Sequence, residues 1–172
     1  AVMSAPSLSP PVLIADPAGL QQLAKTLASC PAVAVDTESN SMHAYREQVC
    51  LLQFSTPDAD FIVDPLRLPD VSALAPIFAN PAQQKIFHAS EYDIICLRRD
   101  YTFEFANIFD TMVAARTLGW PQVGLANILD AHFGVKMNKK FQRADWKRRP
   151  LSPEQLDYAR IDRKSTRLDS SH

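Results

Sequence analysis

The chain has 172 residues, 47% hydrophobic and 22% charged, with a formal net charge of −1. That balance suits one domain with a sizeable core and excludes a disordered chain. No apolar run reaches the roughly 18 residues that a membrane-spanning helix needs, and Cys30, Cys50 and Cys96 form no Cys-x-x-Cys pair, which excludes a paired-cysteine zinc site. Buried thiols in a reducing, cytoplasmic setting are the expectation.

Residues 1–14, rich in proline and serine, read as a flexible tail, without the basic start and apolar centre of a signal peptide. Asp16-Pro17 followed by Leu20, Leu23 and Leu27 predicts a short amphipathic helix. Pro31 to Val35 is an apolar run ending in acids and predicts a buried strand. Strands are expected again at 49–55 and 61–64, joined by the turn Thr56-Pro57-Asp58. A helix is expected over 71–79, a fourth strand over 85–88, and a helix over 91–101. Ile108-Phe109 reads as a short strand leading through Asp110, a residue suited to helix capping, into a helix over 112–118. Gly124 to Phe133 predicts another helix closed by Gly134. Ser152-Pro153-Glu154-Gln155 is a capping-box start, and the helix it opens carries Tyr158 and Asp162, one turn apart on one face. Strands that cluster first and then alternate with helices predict an α/β fold, a mixed sheet flanked by helices on both faces.

The acids carry the chemistry. Asp36 and Glu38 are two apart on a strand, so they project to one side with Thr37 turned away. Adjacent carboxylates repel, and a divalent cation removes the repulsion. Hard cations such as Mg2+ or Mn2+ prefer such oxygen ligands. With Asp93, Tyr158 and Asp162 the pattern suggests a two-metal nucleic-acid hydrolase. Between 136 and 149 stand Lys136, Lys139, Lys140, Arg143, Lys147, Arg148 and Arg149, opposed only by Asp145, a segment fit to hold a polyanion. A glycine-rich phosphate loop and a His-Glu-x-x-His motif are both absent from the sequence, so no organic cofactor is expected.

Val35-Asp-Thr-Glu38, His88-Ala-Ser-Glu-Tyr-Asp93 and Tyr158-x-x-x-Asp162 resemble the three motifs of the DEDD 3′–5′ exonuclease superfamily, tyrosine type. Phe109-Asp-Thr-Met112, Lys139-Lys-Phe-Gln-Arg143, Asp145-Trp146 and Arg149-Pro-Leu-Ser152 resemble its ribonuclease D subfamily. The resemblance covers residues 15–162 and implies a ribonuclease H-like domain. It implies two cations held by Asp36, Glu38, Asp93 and Asp162, with Tyr158 positioning the nucleophilic water or the scissile phosphate. It further implies release of nucleoside 5′-monophosphates from a single-stranded RNA 3′ end, as in tRNA-precursor trimming. Thr37, Tyr45, Arg46, His88, Lys139, Gln142 and Arg143 are the expected substrate contacts, and Trp146 is a candidate to stack on a base. A monomer that binds RNA and no membrane is expected.

Two rival readings accompany this one. The first is a DNA 3′–5′ exonuclease. The second is a catalytically impaired RNA-binding fragment, because residues 163–172 read as an atypical, non-native end in which only Leu168 is strongly apolar.

Overall fold

The computed structural model describes residues 9–41 and 45–159. The expectations for Asp162, for 163–172 and for the first part of the tail lie outside the described residues.

Among the described residues six strands form one sheet: β1 (Val12–Ile14), β2 (Ala32–Ser39), β3 (Val49–Ser55), β4 (Asp60–Val63), β5 (Gln84–Phe87) and β6 (Ile108–Asp110). Their order is β1-β4-β3-β2-β5-β6. The β2–β3 and β3–β4 pairs are antiparallel, and β1–β4, β2–β5 and β5–β6 are parallel. The sheet is therefore mixed, as expected. Val12–Ile14 departs from the tail reading: it pairs with Phe61–Val63 as an edge strand. Three residues are too few for a periodicity signal, and the pairing depends on a strand distant in the chain.

The helices follow their local signals. In α1 (Pro17–Ala28) the Asp16 carboxylate accepts from the Gly19 N–H at 2.8 Å, proline takes the first turn, and Leu20, Leu23 and Leu27 are buried. A 3₁₀ turn, Ser72–Leu74, leads into α2 (Ala75–Ala79). α3 spans Ser90–Tyr101 and α4 spans Thr111–Thr117. The helix expected over 124–133 is α-helical only over α5 (Leu125–Ile128). It widens to a π-turn at Leu129–Phe133 before Gly134 ends it at φ 65°. Lys139–Arg143 is a 3₁₀ turn. A final helix, α6, covers 153–159.

One face of the sheet (Val33, Val35, Leu52, Phe54 and Val63) packs on α1, α2 and α3 through Leu23, Leu27, Phe78 and Leu97. The other face, through Cys50, Leu51 and Ile62, receives Trp146, Tyr158 and Ala159. Cys50 and Leu51 share a face because the β2–β3 register slips between Glu38 and Ser39. Such a bulge places one extra residue on β3 and bends the ladder beside Glu38.

Candidate active site

β2 outruns its neighbour. β5 pairs with it only from Ala32 to Ala34, whereas β3 stays beside it to Ser39. The stretch after Val35 thus has one edge released from the sheet, and the acids stand there. Val35 points into the core against the helices. By alternation Asp36 and Glu38 project to the opposite face, where the register sets Glu38 beside Leu51. Both acids are half-buried.

Thr37 faces away from this pair, as expected, and its hydroxyl donates to the Asp93 carboxylate. The side chain expected among the substrate contacts is thus engaged with the third acid. Asp93 is only 7% exposed and sits in the first turn of α3.

α3 is fastened at both ends. At its start Ala89 has φ 57°, a left-handed conformation disfavoured for a residue with a Cβ. The Asp110 carboxylate holds it there, accepting from the N–H groups of Ala89 (3.1 Å) and Ser90 (2.7 Å) and from the Ser90 hydroxyl (2.8 Å). The same carboxylate caps α4 through the N–H groups of Met112 and Val113. Burial raises its pKa, but the hydrogen bonds from Ser90, Val113 and Ala89 outweigh that and hold it below the usual value. At the far end Asp100 accepts from the Val49 N–H at 2.8 Å, and Arg99 bridges Asp100 and Glu47.

A cavity of about 400 Å³ opens beside Asp36. His88 and Met112 line it, and Lys139 and Gln142 bring in the basic segment. The His88 Nδ1 lies 2.8 Å from the Thr111 hydroxyl. Burial pushes the imidazole below its ordinary pKa, against the opposing pull of Asp110 and the Val123 backbone, with Arg116 adding to the drop. A neutral ring at this wall leaves the positive charge to Lys139.

On the neighbouring side α6 begins with the reciprocal capping box: the Gln155 N–H donates to Ser152 Oγ at 3.1 Å and the Ser152 N–H to Gln155 Oε1 at 3.0 Å. This start aims Tyr158 at the sheet, where its ring lies 5.8 Å from that of Phe141 and 6.0 Å from that of Trp146. Tyr158 is 7% exposed.

Trp146 corrects an expectation. At 1% exposure it packs against the sheet and has no free face on which to stack a base. Its burial follows from Arg149, whose guanidinium grips the 2%-exposed Asp64 carboxylate through two contacts of 2.8 Å. The same guanidinium donates to the carbonyls of Trp146 and Cys50. Arg149 is therefore a clamp and not part of the polyanion-binding segment. Asp64, read as a turn residue, is its buried partner, and no signal in either short segment announces the pair. Cys50 beside it is buried, which pushes its thiol up to about 11 despite the pull of Arg149, so it carries no nucleophilic chemistry.

The remaining expected contacts scatter. Tyr45, Arg46 and Arg143 are exposed and do not line the cavity. Asp162 lies outside the described residues. Among the described residues no group of three or more metal-binding side chains comes together around one point. The donor chemistry nevertheless fits a hard divalent cation: carboxylates at the released end of β2, with a third pinned nearby by Thr37.

The sequence and the fold were compared with known proteins. Residues 11–167 match the family described as 3′–5′ exonuclease. "Protein RRP6-like 3" of Arabidopsis thaliana is 44% identical over 144 residues, 83% of this chain and 16% of its own length. The catalytic core of RRP6 from Trypanosoma brucei superposes with a TM-score of 0.88 at 34% identity, over 98% of this chain and 47% of that one. RNase D of Escherichia coli, described as an exoribonuclease involved in structured RNA processing, superposes with a TM-score of 0.88 at 27% identity, over 95% of this chain and 44% of that one. This chain spans about a sixth of the length of the Arabidopsis relative.

Proposed function

The chain belongs to the 3′–5′ exonuclease family, and from that premise we propose that it removes nucleotides one at a time from RNA 3′ ends, releasing nucleoside 5′-monophosphates. The observation that carries this reading is the link from Asp36 through Thr37 to Asp93, which ties acids from two sequence-distant motifs together beside the cavity that Asp36 lines. The RNA preference rests on the likeness to RNase D and the RRP6 proteins.

The chain's own residues divide the work. Asp36, Glu38 and Asp93, with Asp162, would hold the divalent cations. Thr37 holds Asp93 in place from the strand behind it. Bound there, such cations lower the pKa of water and neutralise charge on a phosphodiester. Tyr158, wedged between Phe141 and Trp146, orients its phenol toward the reacting phosphate. Its part is positioning, with water activation left to the cations. Lys139 and Gln142, on the wall facing Asp36, hold the phosphate backbone, Lys139 by charge and Gln142 by hydrogen bonding.

The test is digestion of 3′-labelled and 5′-labelled RNA and DNA of one sequence, with Mg2+, with Mn2+ and with chelator. Stepwise shortening of RNA from the 3′ end, lost with chelator and in Asp36→Asn, is the expected result. Full activity of Asp36→Asn, or internal cleavage products, would overturn the proposal. Faster loss of DNA than of RNA would move it to the DNA exonuclease.

A further inference from the structure

β3 runs Val-Cys-Leu-Leu-Gln-Phe-Ser from Val49 to Ser55, with one amide inside an otherwise apolar stretch. Gln53 is 0% exposed, and among the described residues neither its Oε1 nor its Nε2 has a hydrogen-bond partner. A buried polar group left unsatisfied costs about 1–3 kcal/mol. An aliphatic side chain would fill the same space without that cost, so packing alone does not account for this residue.

The sheet register identifies the neighbours of the amide within the sheet. Gln53 stands directly opposite Asp36 on β2 and opposite Ile62 on β4. Its lateral neighbours on that face are therefore one carboxylate and one aliphatic chain. Glu38, opposite Leu51, is the diagonal neighbour on the same face. Directly opposite Cβ atoms in an antiparallel pair lie about 5 Å apart and diagonal ones about 7–8 Å, both within reach of a glutamine. The nearest hydroxyl along β3 on that face, Ser55, is committed to Asp60.

We propose that Gln53 is a positioning residue for the acid pair: with cations bound, its amide N–H groups, unpartnered in this structure, turn to donate to the Asp36 and Glu38 carboxylates across the sheet register and set their orientation as cation ligands. The proposal rests on the exonuclease reading above. The residue type suits the task. Glutamine carries two donors on one nitrogen and no charge, so it can orient both acids without cancelling the negative potential that attracts the cation. A lysine or arginine here would compete with the cation, and a serine would be too short to reach both acids.

The test is calorimetric titration of Mn2+ into the whole 172-residue chain, as wild type, Gln53→Met and Gln53→Leu. Thermal melting and RNA affinity in chelator are measured alongside. The expected result is a loss of Mn2+ affinity of about 10–100-fold in both variants, the usual effect of removing a group that orients a metal ligand. Melting temperature should hold or rise, and RNA affinity in chelator should not change. Unchanged Mn2+ affinity in a folded variant overturns the proposal and leaves the amide as a site for buried water. Loss of folding in both variants also overturns it, by assigning the amide to the core. The titration reads Gln53 without turnover. A wild type that binds Mn2+ through Gln53 but digests no RNA would sink the exonuclease reading and not this one.

Discussion

The Thr37 hydroxyl joins two elements that the chain separates by 56 residues, and it does so from the face of β2 opposite the acid pair. Valine has nearly the same shape and lacks the donor. Thr37→Val should therefore cost about 1.5–3 kcal/mol of stability, the worth of one hydrogen bond to a charged group. It should also weaken Mn2+ binding roughly 10–100-fold, because Asp93 loses the group that aims it. Calorimetry with Mn2+ and denaturant melts of the same samples check this, and parallel small losses in both would reduce Thr37 to a packing residue. At this scale the sequence is informative about residue type but not about engagement. It placed Thr37 away from Asp36 and Glu38 correctly, through the two-residue period of a strand. What waits on the far side of the strand depends on where α3 packs. Trp146 makes the same point: a tryptophan near a basic run serves a base or a core equally well, and the Asp64–Arg149 clamp decides for the core.

Helix starts were the most legible features between residue and fold. Asp16, Asp110 and Ser152 with Gln155 all cap as their spacing predicts, since a cap involves only neighbours within one turn. Asp110 does more than its local pattern indicates, because it also holds the left-handed Ala89 and the first turn of α3. The two aspartate caps can be compared. Asp16→Ala should lose about 1 kcal/mol, an ordinary cap. Asp110→Ala should lose roughly 3 kcal/mol, the cap plus the bonds that fasten α3. Urea unfolding of the two variants measures this, and equal losses would mean that α3 keeps its place without Asp110. β1 and the π-turn after α5 escaped the sequence reading. The first is too short to show a period, and the second departs from the helical period that identified it.

The net charge of −1 conceals an exposed basic segment beside the cavity that Asp36 lines. Arg149 lies within that segment but belongs to the interior. Arg149→Met should destabilise the fold by about 3 kcal/mol, since it strands the buried Asp64 carboxylate, and should leave the salt dependence of RNA binding as it was. Lys139→Ala should do the reverse: little change in stability, and a shallower plot of log affinity against log salt. The slope should fall by about 0.7, the share of one single-strand phosphate that the lysine no longer neutralises. Fluorescence titrations over a salt series, set beside melting curves, separate the two. An equal change of slope in both variants would return Arg149 to the RNA-binding surface. The sequence by itself determined the strands other than β1 and most helices, the shared face of Asp36 and Glu38, and the motifs that define the family, because each follows from sterics and hydrogen bonding among near neighbours. Only the tertiary structure decided that Thr37 holds Asp93, that Arg149 is taken by Asp64 across 85 residues, and that Trp146 is buried. Those outcomes depend on which apolar faces meet when the sheet and helices pack, and contacts between distant segments leave no trace in either segment alone.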